Sequence, residues 1–226
     1  MGLYVGTSGW SYGWNADGTL DWYVDNSDLN AIELNASFYR FPFPTQVRTW
    51  AKKGSKLRWS VKVNQLMTHR YKFSTNAEKT WKKFHKLFRP LDKNIDFYLF
   101  QLPPMLTPNS AEKIERFFKK TGLGKRFALE VRNEKWFAKE WLDWAKKLGL
   151  TWVSIDAPEL SRQVYRTSDS VYLRMHGRSS WYSHNYSATE LKEVLRKIRA
   201  AKPRKAYVFF NNNHNMLANA RTMLKR

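Results

Sequence analysis

The sequence predicts an α/β protein, a single-domain parallel (βα)8 barrel of the TIM type whose active site lies at the C-terminal rim of its strands. Three observations carry that expectation. Short β-like runs alternate with helical segments along the chain, and parallel strands need such crossovers. The stretch 170–178, Ser-Val-Tyr-Leu-Arg-Met-His-Gly-Arg, reads as a strand with Val171, Leu173 and Met175 on one face and Tyr172, Arg174 and His176 on the other. An apolar outside with an inside that turns ionisable toward the strand end belongs in a closed barrel wrapped by helices. Finally, 226 residues bury a full core as one domain, slightly below the ~250 usual for such barrels.

In chain order the expected strands are residues 3–7, 31–35, 57–64, 95–101, 126–132, 151–156, 171–176 and 205–211, each a short run rich in β-branched, aromatic and aliphatic residues. Between them lie amphipathic stretches. Ala77, Trp81, Phe84, His85 and Phe88 share one face over residues 77–88. Ile114, Phe117 and Phe118 mark another helix, and Trp141, Leu142, Trp144, Ala145 and Leu148 a third. Leu191, Val194, Leu195 and Ile198 mark a fourth; Met216, Leu217, Ala220 and Leu224 mark the last. Gly54, Gly122, Gly124 and Gly149 precede strands where helix C-caps are needed, and Pro103, Pro104 and Pro158 follow strands four and six, where a ladder must stop. No repeat, low-complexity tract or linker divides the chain, so residues 1–226 are expected to form one domain.

Period-two alternation places a polar side chain inward at the C-terminal end of every strand. These are Ser8, Glu33 with Asn35, Lys62 with Asn64, Gln101, Glu130 with Arg132, Asp156, Arg174 with His176, and Asn211. The opposite faces, among them Ile32 and Leu34, Val61 and Val63, Leu129 and Val131, and Val153 and Ile155, are apolar, as a helix-covered exterior requires. The alternation therefore predicts a mouth holding three carboxylates, three strong cations and an imidazole. Buried charges cost several kcal/mol unless paired, so Glu33, Glu130 and Asp156 are expected to pair with some of Lys62, Arg132 and Arg174, with Lys62 against Glu33 or Glu130.

Charge is the dominant bulk feature: 40 Lys plus Arg against 19 Asp plus Glu give +21. The first 50 residues hold two basic and five acidic residues, so the surplus lies in the remainder. Such a surplus draws polyanions, and DNA or RNA is the partner expected from it. Lys79, Lys82, Lys83 and Lys86 form one helical stripe that can track a phosphate backbone or simply be solvated. Cysteine is absent, which removes disulfides and thiolate chemistry and fits a reducing cytoplasm. The N-terminus lacks the pattern of a signal peptide, and no apolar run approaches membrane length. A cytoplasmic monomer without membrane contact is the expectation.

Val5-Gly-Thr-Ser-Gly-Trp-Ser-Tyr12 with Trp14 resembles the opening of the YecE-like family, catalogued as a domain of unknown function. Further matches follow in order: Glu33-Leu-Asn35 with Phe38-Tyr39-Arg40, Trp50, Val61-Lys62 with Thr68-His69, and Gln101-Leu-Pro-Pro104. Then come Phe127-Ala-Leu-Glu130 with Arg132 and Trp136, Asp156, Tyr172 through Arg178 with Tyr186, and Phe210-Asn-Asn212 with Asn219-Ala220. The resemblance spans residues 5–220 and implies a TIM-like barrel; it implies little about chemistry. One departure is Lys135 before Trp136, where the family pattern suggests a small hydroxyl residue; it adds a cation near the rim.

Familiar catalytic signatures are missing: no phosphate loop, no Gly-x-Ser-x-Gly elbow and no His-Glu-x-x-His. The expected candidates are therefore the rim groups. Glu130, Asp156 and His176 are the first choices for acid and base, or for ligands if Mg, Mn or Zn is used, although nothing in the sequence requires a cofactor. Glu33 joins them, and Lys62 is a possible nucleophile for Schiff-base chemistry at a sugar C1. Arg132, Arg174 and Arg178, with Asn35, Tyr39, His69, Gln101 and Asn211, are candidates for binding phosphate or substrate. Trp10, Tyr12, Trp181, Tyr182 and Tyr186 are candidates for base stacking, with at least half of the loop aromatics expected to pack the barrel instead. The preferred expectation is an enzyme hydrolysing a DNA or RNA phosphodiester or processing a damaged nucleotide. The alternatives are a small-molecule enzyme on a phosphorylated sugar or other anion, and a non-catalytic nucleic-acid-binding protein.

Overall fold

Eight parallel strands follow one another around a barrel: β1 (Gly2–Thr7), β2 (Ala31–Leu34), β3 (Arg58–Lys62), β4 (Ile95–Gln101), β5 (Phe127–Glu130), β6 (Thr151–Asp156), β7 (Ser170–Met175) and β8 (Lys205–Phe210). They are described, with all residues 1–226, in a computed structural model. Hydrogen-bonded pairing runs from β1 through β8 and back down to β2, and a single bridge, Ser8 to Glu33, joins β1 to β2. The expected (βα)8 barrel is thus the observed fold.

Side chains complete the β1–β2 seam where ladder bonds are missing. The Asn30 amide accepts from Val5 N at 2.8 Å and donates to Leu3 O at 3.0 Å. The Tyr23 hydroxyl accepts from Thr7 N at 3.3 Å and donates to Ala31 O at 2.8 Å. At Gly6 the strands approach so closely that a β-carbon would lie 2.3 Å from the Ala31 carbonyl oxygen. Gly6→Ala is accordingly expected to push the seam apart at a cost of about 1–3 kcal/mol, read as a lower Tm; an unchanged Tm would contradict this account of closure.

The helices are α1 (Leu20–Asn26), α2 (Ala36–Tyr39), α3 (Pro44–Lys53), α4 (Thr75–Phe88), α5 (Ala111–Thr121), α6 (Lys139–Leu148), α7 (Ala188–Ala200) and α8 (Met216–Leu224). α4 buries Ala77, Trp81, Phe84 and Phe88, as its 3.6-residue spacing predicts, and leaves Lys79, Lys82, Lys83 and Lys86 exposed. The larger apolar core lies between helices and outer strand faces, while Ala31, Phe97, Leu99, Ala128, Val153, Tyr172, Tyr207 and Phe209 plug the barrel's interior.

Three expectations are corrected. Several strands are shorter than read, notably β3, which stops at Lys62, and β5, which stops at Glu130, because the residues after them turn into the rim segments. No helix joins β6 to β7; instead Tyr165 N donates to Ser154 Oγ at 2.9 Å and Thr167 Oγ1 accepts from Trp152 N at 2.8 Å, so the return segment runs along β6 as a tie. The alternation of β6 is also inverted. Val153 pairs with Tyr172 and Ile155 with Arg174, so these two face inward, whereas Asp156 pairs with Met175 and faces outward. All six residues of β6 are buried, and a strand buried on both faces carries no period-two signal. Trp152, packed at a tilt against Trp136 with ring centres 6.4 Å apart, takes the roomier outer side and sets the parity.

Candidate active site

Arg174 is the hub of the barrel mouth. Its side chain is 1% exposed; Nε and Nη2 donate to the two oxygens of Glu33 at 2.9 and 2.6 Å, and Nη1 donates to Glu130 Oε2 at 2.7 Å. Glu33 also accepts from Ser8 Oγ and from the Tyr172 hydroxyl, both at 2.6 Å, and Tyr172 in turn accepts from Ser60 at 2.7 Å. Arg132 Nε donates to Glu130 Oε1 at 2.5 Å. Both carboxylates are fully buried, and every oxygen has a guanidinium donor, the condition under which buried charge is tolerated. Burial pushes the Glu130 carboxyl up, but Arg132, Arg174 and Lys62 outweigh it and hold the group at about 2. Glu130 is thus a weak base.

His176 lies just beyond β7, fully buried. Nε2 is 3.3 Å from a guanidinium nitrogen of both Arg132 and Arg174, and Nδ1 is 3.2 Å from the Asn211 amide. Both ring nitrogens face donors, the guanidiniums at Nε2 and Asn211 Nδ2 at Nδ1, so the surroundings disfavour a second ring proton. Burial, then Arg174, Arg132 and Lys62, push its pKa well below the usual histidine range, so the imidazole is neutral. The loop after β7 roofs this corner: Trp181 lies 5.4 Å from the His176 ring and takes the Arg132 guanidinium on its face at 4.9 Å. Gly177 has φ 119°, and a β-carbon there would lie 2.4 Å from Ser180 O, so only glycine turns the chain back here. Tyr182 N then donates to His176 O at 2.6 Å.

Lys62 differs from its neighbours. Its side chain is 8% exposed, its Nζ sits 4.1 Å from the Phe38 ring centre, and it forms no ion pair and no hydrogen bond. The arginines have taken the carboxylates on which sequence pairing placed it. Burial first and Arg174 second lower its pKa to about 8, against the pull of Glu130 and Glu33. Beyond β3 the chain forms a π-helix, Leu66–Arg70, a form favoured at functional sites. It carries His69, which packs edge-on to Phe38 at 5.1 Å. Burial and Lys62 lower the pKa of His69. A side cavity of about 500 Å³ opens there, lined by Tyr39, Arg40, Asn64, His69 and Arg70 among others.

The barrel thus brings Glu33, Lys62, Glu130, Arg132, Arg174, His176 and Asn211 together, with Gln101 in register beside Glu130. Asn35 follows Glu33 and keeps a buried Oδ1 without a partner. Tyr12 bonds Ser8 O at 3.0 Å near the same end; burial and Glu33 raise its pKa. Asp156 does not join them. With Tyr186, at 2.9 Å, and Arg178, at 3.0–3.2 Å, it forms a separate buried network that Arg178 extends to Glu193 at 2.8 Å. Arg178 is therefore spent on carboxylates, and Tyr186, 3% exposed, packs on Phe210. Trp10 packs on Trp50 and Trp59, and Tyr12 stacks on Trp14; among the stacking candidates Tyr182 is the exposed one, with Trp181 half-buried. The set Glu130, Asp156 and His176 does not converge, and no three His, Asp or Glu side chains cluster closely enough to hold an ion. The residues present do not fit a divalent metal.

Alternation missed Phe38, which sits on α2 rather than a strand, and Arg40 and Arg70, which stand on rim loops; the motif Phe38-Tyr39-Arg40 was the available signal. A second cavity, about 440 Å³, opens at the opposite end, where the strands begin. Several of its ions are paired, Lys125 with Asp169 inside it and Arg126 and Asp96 with, respectively, Asp92 and Arg58 beside it, in keeping with the stabilising face of such barrels.

A family profile described as "Protein of unknown function DUF72" matches residues 4–226. The structure is similar to a DUF72 family protein from Thermotoga maritima at 24% identity and TM-score 0.86, covering 100% of this chain and 98% of that one. It is similar to one from Enterococcus faecalis at 21% identity and TM-score 0.85, covering 99% and 94%. A D-psicose 3-epimerase from Clostridium cellulolyticum, solved with D-tagatose, matches at 16% identity and TM-score 0.56, covering 98% and 90%. At these identities the structural likenesses show the barrel alone. No curated protein matches in sequence.

Proposed function

The chain belongs to the DUF72 family, which is the YecE-like family its motifs resemble, and from the mouth of its barrel we propose an enzyme acting on a small anionic molecule, a phosphorylated sugar or another acid. One observation carries this reading: two buried carboxylates face three cations, and after the arginines have taken both carboxylates, Lys62 is left with no counter-ion. A small anion supplies that missing charge. Asn35, Gln101 and Asn211 end neighbouring strands as further hydrogen-bonding groups, and the side cavity beside them, lined by Asn64 and His69, is of small-molecule size. The barrel likeness to a sugar epimerase supports a small-molecule substrate, while the negative charge is read from the mouth alone.

The measurement is ligand-induced stabilisation. Phosphorylated sugars are expected to raise Tm at concentrations where the unphosphorylated sugars do not, by about 2.7 kcal/mol at a hundred times Kd, with the effect lost in Lys62→Met. Equal response to both sugar classes, or none, would remove the reading.

A second reading is favoured by one feature of the surface. Apart from Met1, the exposed large apolar side chains, Tyr39, Phe43, Met105 and Tyr182, all stand on the segments that follow strand C-termini at the mouth end, as do Arg40, Arg70, Lys72 and Lys135. Aromatics among cations suit single-stranded DNA or RNA. Binding of short fluorescent oligonucleotides that weakens steeply with salt supports this partner; binding flat in salt refutes it. Phosphodiester hydrolysis gains nothing from the mouth, where Glu130 is a weak base and no metal-ligand set converges.

A further inference from the structure

We propose that Lys62 is a nucleophile that joins a small anionic aldehyde or ketone to the protein as an imine, an inference that rests on the small-anion reading of the mouth. Its geometry separates it from every other ionisable group there. Arg174 on β7 and Arg132 beyond β5 are locked to carboxylates, Glu33 on β2 and Glu130 on β5 are locked to guanidiniums, and His176 is enclosed by Arg132, Arg174 and Asn211. Lys62 alone has a nitrogen without a bond. Its stem is fixed by burial at the end of β3, and Phe38 holds the nitrogen at 4.1 Å from its ring without occupying the lone pair. Burial first, then Arg174 and Arg132, against Glu130 and Glu33, which also face it, lower its pKa to about 8, with the neighbouring His69 itself shifted downward. Near neutrality a substantial fraction is therefore the free amine, on the order of a hundredfold more than for an exposed lysine of pKa ~10.4.

The step balances without a further reagent. The neutral amine attacks the carbonyl carbon and a C–N bond forms; the carbonyl oxygen takes a proton and, after a second, leaves as water while C=N forms. With the ammonium as starting point the sum is R–NH3⁺ plus O=CR2 giving R–NH⁺=CR2 plus water. The positive charge is conserved, so the iminium keeps the place of the ammonium opposite Glu33 and Glu130. Such an iminium draws electrons from the neighbouring carbon, which is the use enzymes make of lysine at carbonyl substrates.

Trapping tests this directly. The folded protein is incubated at pH 7.5 with pyridoxal 5′-phosphate or, as a smaller probe, glyoxylate, reduced with borohydride, digested and mapped by mass spectrometry. The expected result is a reduced adduct at Lys62 about tenfold or more ahead of any exposed lysine, with a pH midpoint near 8, absent from a folded Lys62→Met variant. Adducts spread over exposed lysines with Lys62 unmodified by either probe would overturn the proposal. Inorganic phosphate separates it from the reading beneath it. Adduct formation that phosphate neither slows nor competes with keeps the nucleophile and rejects the anion site. Stabilisation by phosphate without an adduct keeps the anion site and rejects the nucleophile.

Discussion

Replacing Arg174 with methionine is expected to cost about 3–5 kcal/mol of folding stability, enough to unfold a marginal domain. Arg174 is the single counter-ion of Glu33 and one of two for Glu130, and both glutamates are fully buried. Removing it leaves charge in a low-dielectric interior with no route to water, a far larger penalty than the pair's own net contribution. Arg174→Lys is expected to recover little, because one ammonium cannot reproduce three N–H contacts spread over two carboxylates. Adding Glu33→Gln to Arg174→Met is expected to recover most of the loss, since the unpaired carboxylate is then gone and Glu130 keeps Arg132. Urea denaturation at pH 7 reads all three, and a loss below about 1 kcal/mol in Arg174→Met would mean that water reaches the mouth. Acid supplies the same test in the native chain. Glu130 has its folded pKa depressed to about 2, so the stability it contributes is whole above its ordinary range and is lost as pH falls toward 2.

The arrangement of this network was largely legible in the sequence, and the exceptions have physical causes. β7 alternates large apolar residues with Tyr172, Arg174 and His176, so its parity is unambiguous. β2 and β5 likewise carry their glutamates between apolar neighbours. β6 offers Trp152, Val153 and Ile155 on both parities, and the choice falls to tertiary packing of a tryptophan that the interior has no room for; this is why Asp156 belongs to a different network. Pairing logic identified the ions of the mouth and the arginines that hold Glu33 and Glu130, but it gave Lys62 a carboxylate partner and Asp156 a place among them. Lys62 loses both glutamates because a planar guanidinium binds two carboxylate oxygens at once, whereas an ammonium does not. Strand periodicity, finally, says nothing of the segments between strands, so the places of Phe38 against Lys62 and of Arg40 and Arg70 on the side cavity emerge from the three-dimensional structure, with the motif Phe38-Tyr39-Arg40 as the one sequence signal.

Lys62→Met is expected to stabilise the protein at pH 7 by roughly 3 kcal/mol, the equivalent of a fall in pKa from 10.5 to about 8. The methionine keeps the apolar stem and its packing on Phe38 while removing the buried cation. The sign follows from proton binding. Folded Lys62 releases its proton near pH 8 and the unfolded lysine near 10.5, so between these values the unfolded chain binds more protons and rising pH favours the fold. Below pH 8 both states are protonated and the wild type bears the full cost; above it the gap between variant and wild type narrows, closing near 10.5. Denaturation of both proteins at pH 7 and pH 10 measures the difference, in which the titration of all other groups cancels. A variant less stable than the wild type at pH 7, or a gap that does not change with pH, would show that Lys62 has a counter-ion after all. A buried amine amid arginines that already bond the carboxylates of the mouth lowers the stability of the fold on balance, and the imine chemistry proposed for its nitrogen is a function that such a cost would serve.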